Sequence, residues 1–235
     1  MLFSGFMNPD SRFGRVCGFL ANLIIVNLCF LLTLVPVITA GAGIAAMYYA
    51  VMKLMRQREI RPASDFWKGF RDNFKRATLV WIVLLCLAVI LIMDFRIAAF
   101  MGVWAHGMWI GLAGTALVIL LTAMYLFPVM ACFYGTLKEQ IRNSFLFIGK
   151  NILTAAAVFC INVVPMYLTY RYAAYLPLFA FLWCMCGFSL TAFLNARLLL
   201  GIFIPYLKPA APAGSVAAEE EKDEQAWEAE MKYLQ

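Results

Sequence analysis

An all-helical, polytopic membrane protein is the fold class this sequence predicts, on three observations. Of its 235 residues, 64% are hydrophobic and 14% charged, whereas a soluble domain is about half apolar and about a quarter charged. Apolar runs recur at or above the length of about 20 residues that a helix needs to cross a bilayer. The few charges fall almost entirely between those runs, and on one side. These features exclude a water-soluble globule and a disordered chain. They also exclude a nucleic-acid-binding domain, despite a net charge of +6. With no water in the hydrocarbon region, backbone groups must be satisfied within the protein, and the long runs select helices over a barrel.

Met1 to Arg15 is polar, with Asp10, Arg12 and Arg15. It does not read as a signal peptide, because the apolar stretch behind it is far too long. Val16 to Met52 then holds 37 residues without a charge, enough for two spans. Pro36 removes a backbone donor, and Gly41 and Gly43 permit a tight reversal. The first span is placed at 16–36 and the second at 39–55; five spans plus a re-entrant helix at 39–55 is the alternative. Lys53 to Arg76 forms the longest polar connection. The remaining spans are expected at 77–94, 108–131, 152–170 (carrying Pro165) and 174–200. Residues 1–208 form a single membrane domain. The segment 209–235 reads as a Pro/Ala-rich linker and an acidic helical tail, with Trp227, Met231 and Leu234 on one face.

Basic residues in short loops set orientation. Fifteen lie on one side: Arg12, Arg15, the eight from Lys53 to Arg76, Lys138, Arg142, Lys150, Arg197 and Lys208. Only Arg96 and Arg171 lie on the other. The expected topology therefore has both termini and the 53–76 and 138–150 loops in the cytoplasm. Trp104, Trp109, Tyr170, Tyr172 and Tyr175 mark the outer interface. Trp67, Trp81, Tyr134 and Tyr206 mark the inner one, the boundary such rings prefer.

Three features are candidates for function. Residues Ser64 to Arg76 form an amphipathic helix, with Ser64 as cap, Asp65 in the first turn and Phe66, Phe70 and Phe74 every fourth residue beside Trp67. Lys68, Arg71, Lys75 and Arg76 give it a basic face, expected to lie along the inner leaflet. Its ridge of Phe66, Trp67, Phe70, Asn73 and Phe74 is the candidate docking face for a partner. The second candidate is the reversal 34–43. Asn27, Pro36, Thr39 and Gly41 there could line a solute path, since freed backbone groups coordinate substrate in transporters; a packing turn is the competing reading. A stripe of Ala42, Ala46 and Ala50, like Gly107, Gly111 and Thr115 in the fourth span, suits close helix approach. The third is the set of polar residues within spans: Asn22, Asn27, Asn162, Ser189, Asn195 and Arg197.

No enzyme is expected. Phosphate-binding GxxxxGK[ST], HExxH and GxSxG patterns are missing, and no carboxylate lies at mid-membrane depth. The single histidine, His106, reads as an interfacial residue. The seven cysteines, Cys17, Cys29, Cys86, Cys132, Cys160, Cys184 and Cys186, all sit in apolar stretches and read as small core residues. Neither metal nor cofactor is expected.

The assembled residues resemble the YesL family of bacterial membrane proteins. The resemblance rests on Asn27, the run Leu34-Val-Pro-Val-Ile-Thr-Ala-Gly41, then Ala45-Ala-Met-Tyr-Tyr49, then Asp65-Phe-Trp-Lys-Gly-Phe-Arg-Asp-Asn-Phe74. It departs from the family pattern where Ala42-Gly-Ile44 stands in place of Pro-Ala-Thr, and where Val35 separates Leu34 from Pro36. It implies a multi-pass protein of a bacterial plasma membrane, with the bilayer as its first partner. Members are often encoded beside carbohydrate ABC importers, so the resemblance implies an accessory role in sugar uptake with importer subunits as partners. The alternative is a small carrier or pore for a neutral, sugar-like solute. Permeases of such importers carry a Glu-Ala-Ala…Gly coupling loop. The nearest segment, Leu137 to Ser144, lacks the glycine, so the chain is not read as the permease.

Overall fold

A computed structural model describes residues 12–56, 61–100, 106–133 and 135–206, apart from the side chains of Arg12 and His106. The expectations for Trp104, Tyr134 and the 209–235 tail lie outside the described residues. Met1–Ile202 forms one compact unit. Phe203–Gln235 is a second, described from Phe203 through the 3-10 turn Ile204–Tyr206.

All regular structure among the described residues is helical. The order is α1 (Arg12–Leu34), a 3-10 turn (Val37–Thr39), α2 (Ala40–Arg56), α3 (Pro62–Phe100), α4 (His106–Cys132), α5 (Leu137–Lys150) and α6 (Ile152–Arg171). A 3-10 turn (Ala173–Tyr175) leads to α7 (Leu176–Leu182), a π-helical turn (Trp183–Gly187) and α8 (Phe188–Phe203). Among the described residues, six stretches are long and apolar enough to cross a membrane: Phe13–Leu34, Val37–Arg56, Pro62–Phe100, Gly107–Cys132, Ile152–Arg171 and Ala173–Tyr206. The second has 20 residues, about 30 Å of rise, which matches a hydrocarbon core of about 30 Å. It has the length of a full crossing rather than of a re-entrant helix.

α2 is the centre of the packing. Of its most apolar 18-residue window 61% is buried, against 6% for α3. It packs most extensively on α3, and also on α1 and α4. In lipid no hydrophobic force draws helices together, so close contact and hydrogen bonds must do it. The small residues of α2 make that contact possible. Ala42, Ala45 and Ala46 are fully buried. A Cβ on Gly41 would run into Trp81 and the Ala77 carbonyl, and one on Gly43 into Thr33. Across the same interface a Cβ on Gly69 would meet the Tyr49 ring.

Three elements differ from the sequence expectation. The amphipathic segment 64–76 is not a separate helix: it is the start of the 39-residue α3 and runs without a break into the third span. At 1.5 Å per residue α3 is about 58 Å long, nearly twice the hydrocarbon thickness. A segment of about 20 Å therefore projects beyond the charge-free stretch that begins at Ala77. The expected loop 138–150 is a helix, α5. The last span is not regular, because its helix widens at Trp183–Gly187.

Candidate functional site

The reversal between α1 and α2 is held by its own side chains. Pro36 precedes the 3-10 turn with extended backbone (φ −86°, ψ 103°), and the Thr39 amide bonds the Pro36 carbonyl at 2.9 Å. The Thr39 hydroxyl sits 2.7 Å from the Thr33 carbonyl and 2.9 Å from that of Pro36. The indole of Trp81 donates to the Val37 carbonyl at 2.8 Å and pins the turn to α3. Gly41 is pressed between Trp81 and the Ala77 carbonyl.

Asn27 is fully buried on α1, one of the few polar groups at that depth. Its amide nitrogen donates to the carbonyls of Trp183 (3.0 Å) and Cys184 (2.7 Å), and its amide oxygen accepts from the Ser189 backbone N–H at 3.0 Å. Cys184 and Ser189 are five residues apart, the pair an i→i+5 helical bond would join. The Asn27 carboxamide inserts between them, and the widened turn is what that insertion requires. A second cross-link joins the Asn195 amide of α8 to the Tyr48 hydroxyl of α2 at 3.1 Å, both residues buried. Pro36, Thr39 and Gly41 thus form one packed turn against α3, while Asn27 belongs to a separate contact between α1 and the last span. These bonds and contacts support the packing reading of the reversal. Asn162 likewise turns its amide to the Val158 carbonyl one turn back, at 2.7 Å.

The second assembly gathers at the basic end of the unit. Met52 near the end of α2 touches Cys132 at the end of α4 (S···S 3.0 Å), and Arg76 on α3 donates to the Gly135 carbonyl at 2.8 Å. The ends of α2 and α4, the projecting part of α3 and the start of α5 therefore share one level. Lys53 and Asp65 form an ion pair at 2.5 Å, with side chains 27% and 10% exposed. The other Asp65 oxygen accepts from the Arg61 N–H at 3.3 Å, so this carboxylate caps the first turn of α3 while holding the end of α2.

From Asp65 the aromatic row runs outward. Phe66 is fully buried, which removes it from the candidate docking face and makes it the anchor of the projecting segment. Trp67 meets the Phe66 ring edge-on at 5.7 Å, Phe70 lies 5.4 Å from Trp67, and Phe74 lies 5.3 Å from Phe70. Trp67 is 37% and Phe74 38% exposed. Asn73 is half-buried and donates to the Gly69 carbonyl of its own helix at 3.0 Å. The available surface is thus Trp67, Phe70 and Phe74, flanked by the exposed Lys68, Arg71 and Lys75.

α5 completes this end. Thr136 and Glu139 form a reciprocal cap: Thr136 N–H donates to the Glu139 carboxylate at 2.9 Å, and Glu139 N–H to the Thr136 hydroxyl at 3.4 Å. The bond from the Thr136 backbone, then that with its hydroxyl, holds the Glu139 carboxyl below its usual range. Gln140, Ser144 and Phe147 are buried, while Ile141, Phe145 and Leu146 are exposed beside Arg142 and Lys150. An apolar exposed side with basic neighbours is the make-up of an interfacial helix. Sequence reasoning missed α5, although Thr136-x-x-Glu139 was a legible start signal. It also missed the Lys53–Asp65 pair, whose members looked like two charges of one loop.

The stripe Gly107, Gly111 and Thr115 does not serve close approach within the chain. Gly107 and Gly111 have open space where a Cβ would stand, and Thr115 bonds the carbonyl of Gly111 at 3.0 Å. Among the described residues no three His, Cys, Asp or Glu side chains gather as a metal site would require.

Fold and site together define a polytopic helical membrane protein with a tightly locked N-terminal helix trio and an aromatic, basic platform at one end. Comparison narrows this one step further. The family described as "Protein of unknown function, DUF624" matches residues 23–95, which run from within α1 through the reversal and α2 into the outer part of α3. No curated protein and no solved structure matches the chain.

Proposed function

We propose that this protein is a non-enzymatic accessory subunit of a transport complex in a bacterial plasma membrane, of the YesL type, with its basic end in the cytoplasm. The observation that carries this reading is the projecting start of α3. A helix that overruns the bilayer by about 20 Å and carries exposed Trp67 and Phe74 on either side of a half-buried Phe70 presents the large, rigid side chains that dominate protein interfaces. The basic residues beside the row, and those on α5, favour the cytoplasmic leaflet and support the orientation. Resemblance to the YesL family points to importers of carbohydrate as the complex served.

Affinity purification of the full chain from native membranes, in mild detergent, is the test. Transporter subunits should co-purify with the natural chain and be lost from Phe70→Ala/Phe74→Ala, while both chains insert equally. Recovery of the natural chain with no transport component would contradict the proposal. Equal recovery with both chains would move the docking surface elsewhere.

A further inference from the structure

The widened turn that Asn27 imposes has a consequence on its far side. Between α6 and the α7–π–α8 wall lies a cavity of about 520 Å³, in the size range of ligand pockets. One wall carries Cys160, Ile161, Val164, Pro165, Leu168 and Thr169, a single stripe of α6. The other runs from Phe179 through Trp183 and Gly187 to Leu194. Its polar groups are already used. The Thr169 hydroxyl donates to the Pro165 carbonyl (2.9 Å) and accepts from the Trp183 indole (3.1 Å), and the Thr191 hydroxyl bonds the Gly187 carbonyl (2.8 Å). With the hydroxyl and indole donors engaged and the remaining lining apolar apart from the Cys160 thiol, the groove fits a hydrocarbon chain.

The two walls are covalently joined at one end by Tyr172 and the Ala173–Tyr175 turn, so that end is the apex of the groove. Arg171, the last residue of α6, stands there three residues beyond the lining Leu168, one turn along the same stripe. Its guanidinium lies over the Tyr172 ring at 5.8 Å and is exposed. It is one of only two basic residues on its side of the predicted membrane.

We propose that this groove is a binding site for a bilayer phospholipid, with one acyl chain between α6 and α8 and its phosphate on Arg171. A guanidinium offers paired donors that match phosphate oxygens. A cation at an apolar slot is complementary to a lipid at both of the lipid's ends. The inference rests on the membrane class of the protein and is independent of partner docking.

The test uses the full chain in phosphatidylcholine vesicles doped with a phosphatidylglycerol that carries a photoactivatable group midway along one acyl chain. Cross-links are mapped by mass spectrometry. Label should concentrate on Cys160, Val164, Leu168, Leu190 and Leu194, well above that on Val89 and Ile92 of α3, which report bulk lipid. Filling the groove by Leu190→Trp, or separately by Leu194→Trp, should abolish the excess; both positions are partly exposed, so a folded chain is expected. Arg171→Gln, which removes the charge and the paired donors, should lower it about tenfold, a weakening of ~1.4 kcal/mol. Equal label in the groove and on α3, or groove label indifferent to all three substitutions, would overturn the proposal. So would efficient Cys160-to-Cys160 cross-linking between chains with the groove protected from lipid, because the occupant would then be a second copy.

Discussion

The trio α1–α2–α3 and the helices that follow it are built of similarly apolar residues but held by different means. In the trio, Gly41, Gly43 and Gly69 are crowded, a neighbouring helix occupying the space of the missing Cβ, whereas Gly18 near the start of α1 has open space. In α4, α5 and α8, Gly107, Gly111, Gly114, Gly149 and Gly201 meet nothing there. Bulk burial does not make the difference, since the most apolar window of α3 is 6% buried against 11% in α6 and in the last span. The lesson is that apolarity alone places a segment in lipid, whereas fixed relations between helices need small residues and buried amides at particular positions. The matched family region, 23–95, coincides with the part built in the second way.

Substitution at the two kinds of glycine should break the comparison most sharply. Gly41→Leu forces a side chain into Trp81 and backbone of α3, and should cost about 3 kcal/mol, the upper range for overpacking. Gly111→Leu should change thermal unfolding in detergent hardly at all. Similar losses at both sites would erase the distinction. Next in size is the bond between the two regions. Asn27→Leu removes the three bonds to Trp183, Cys184 and Ser189 of the last span and should cost about 2 kcal/mol, set by the modest worth of membrane hydrogen bonds. Hydrogen exchange should rise at Ser189 before it rises in α2; unchanged exchange there would show that Asn27 does not hold the widened turn.

The smallest effect belongs to α5. Thr136→Ala removes one half of the reciprocal cap and should cost about 1 kcal/mol. The Glu139 carboxyl is held below its usual range in the folded chain. Its contribution is therefore complete above the unfolded-state value, about 4.3, and is lost as pH falls through the lowered value. The gap in melting temperature between natural and Glu139→Gln chains should be constant from neutral pH down to mildly acidic pH and narrow below that. A gap that widens on acidification would contradict the cap.

Much of this architecture was legible because lipid imposes simple rules. The charge-free run Val16 to Met52 with Pro36 inside it announces two helices. Asn27, one of two amides in that apolar stretch, announces a buried bond. Its partners were not legible, since the turn at Trp183–Gly187 widens only when an amide from a helix more than 150 residues away enters it. The unbroken course of α3 was hidden for another reason. Amphipathicity shows which face of 64–76 is apolar, but whether the helix bends at Arg76 depends on Gly69 meeting Tyr49 and on Asp65 meeting Lys53. The inward aim of Phe66, and with it the true extent of the exposed row, follows from the same contacts.

The account stands on six crossings with the basic platform inside the cell. Single cysteines at Lys68, Lys138 and Tyr172, in a chain whose seven native cysteines are replaced, test this with a membrane-impermeant maleimide on intact cells. Tyr172→Cys should react at once, and Lys68→Cys and Lys138→Cys only after the membrane is opened. Labelling of Lys68→Cys or Lys138→Cys from outside would contradict it.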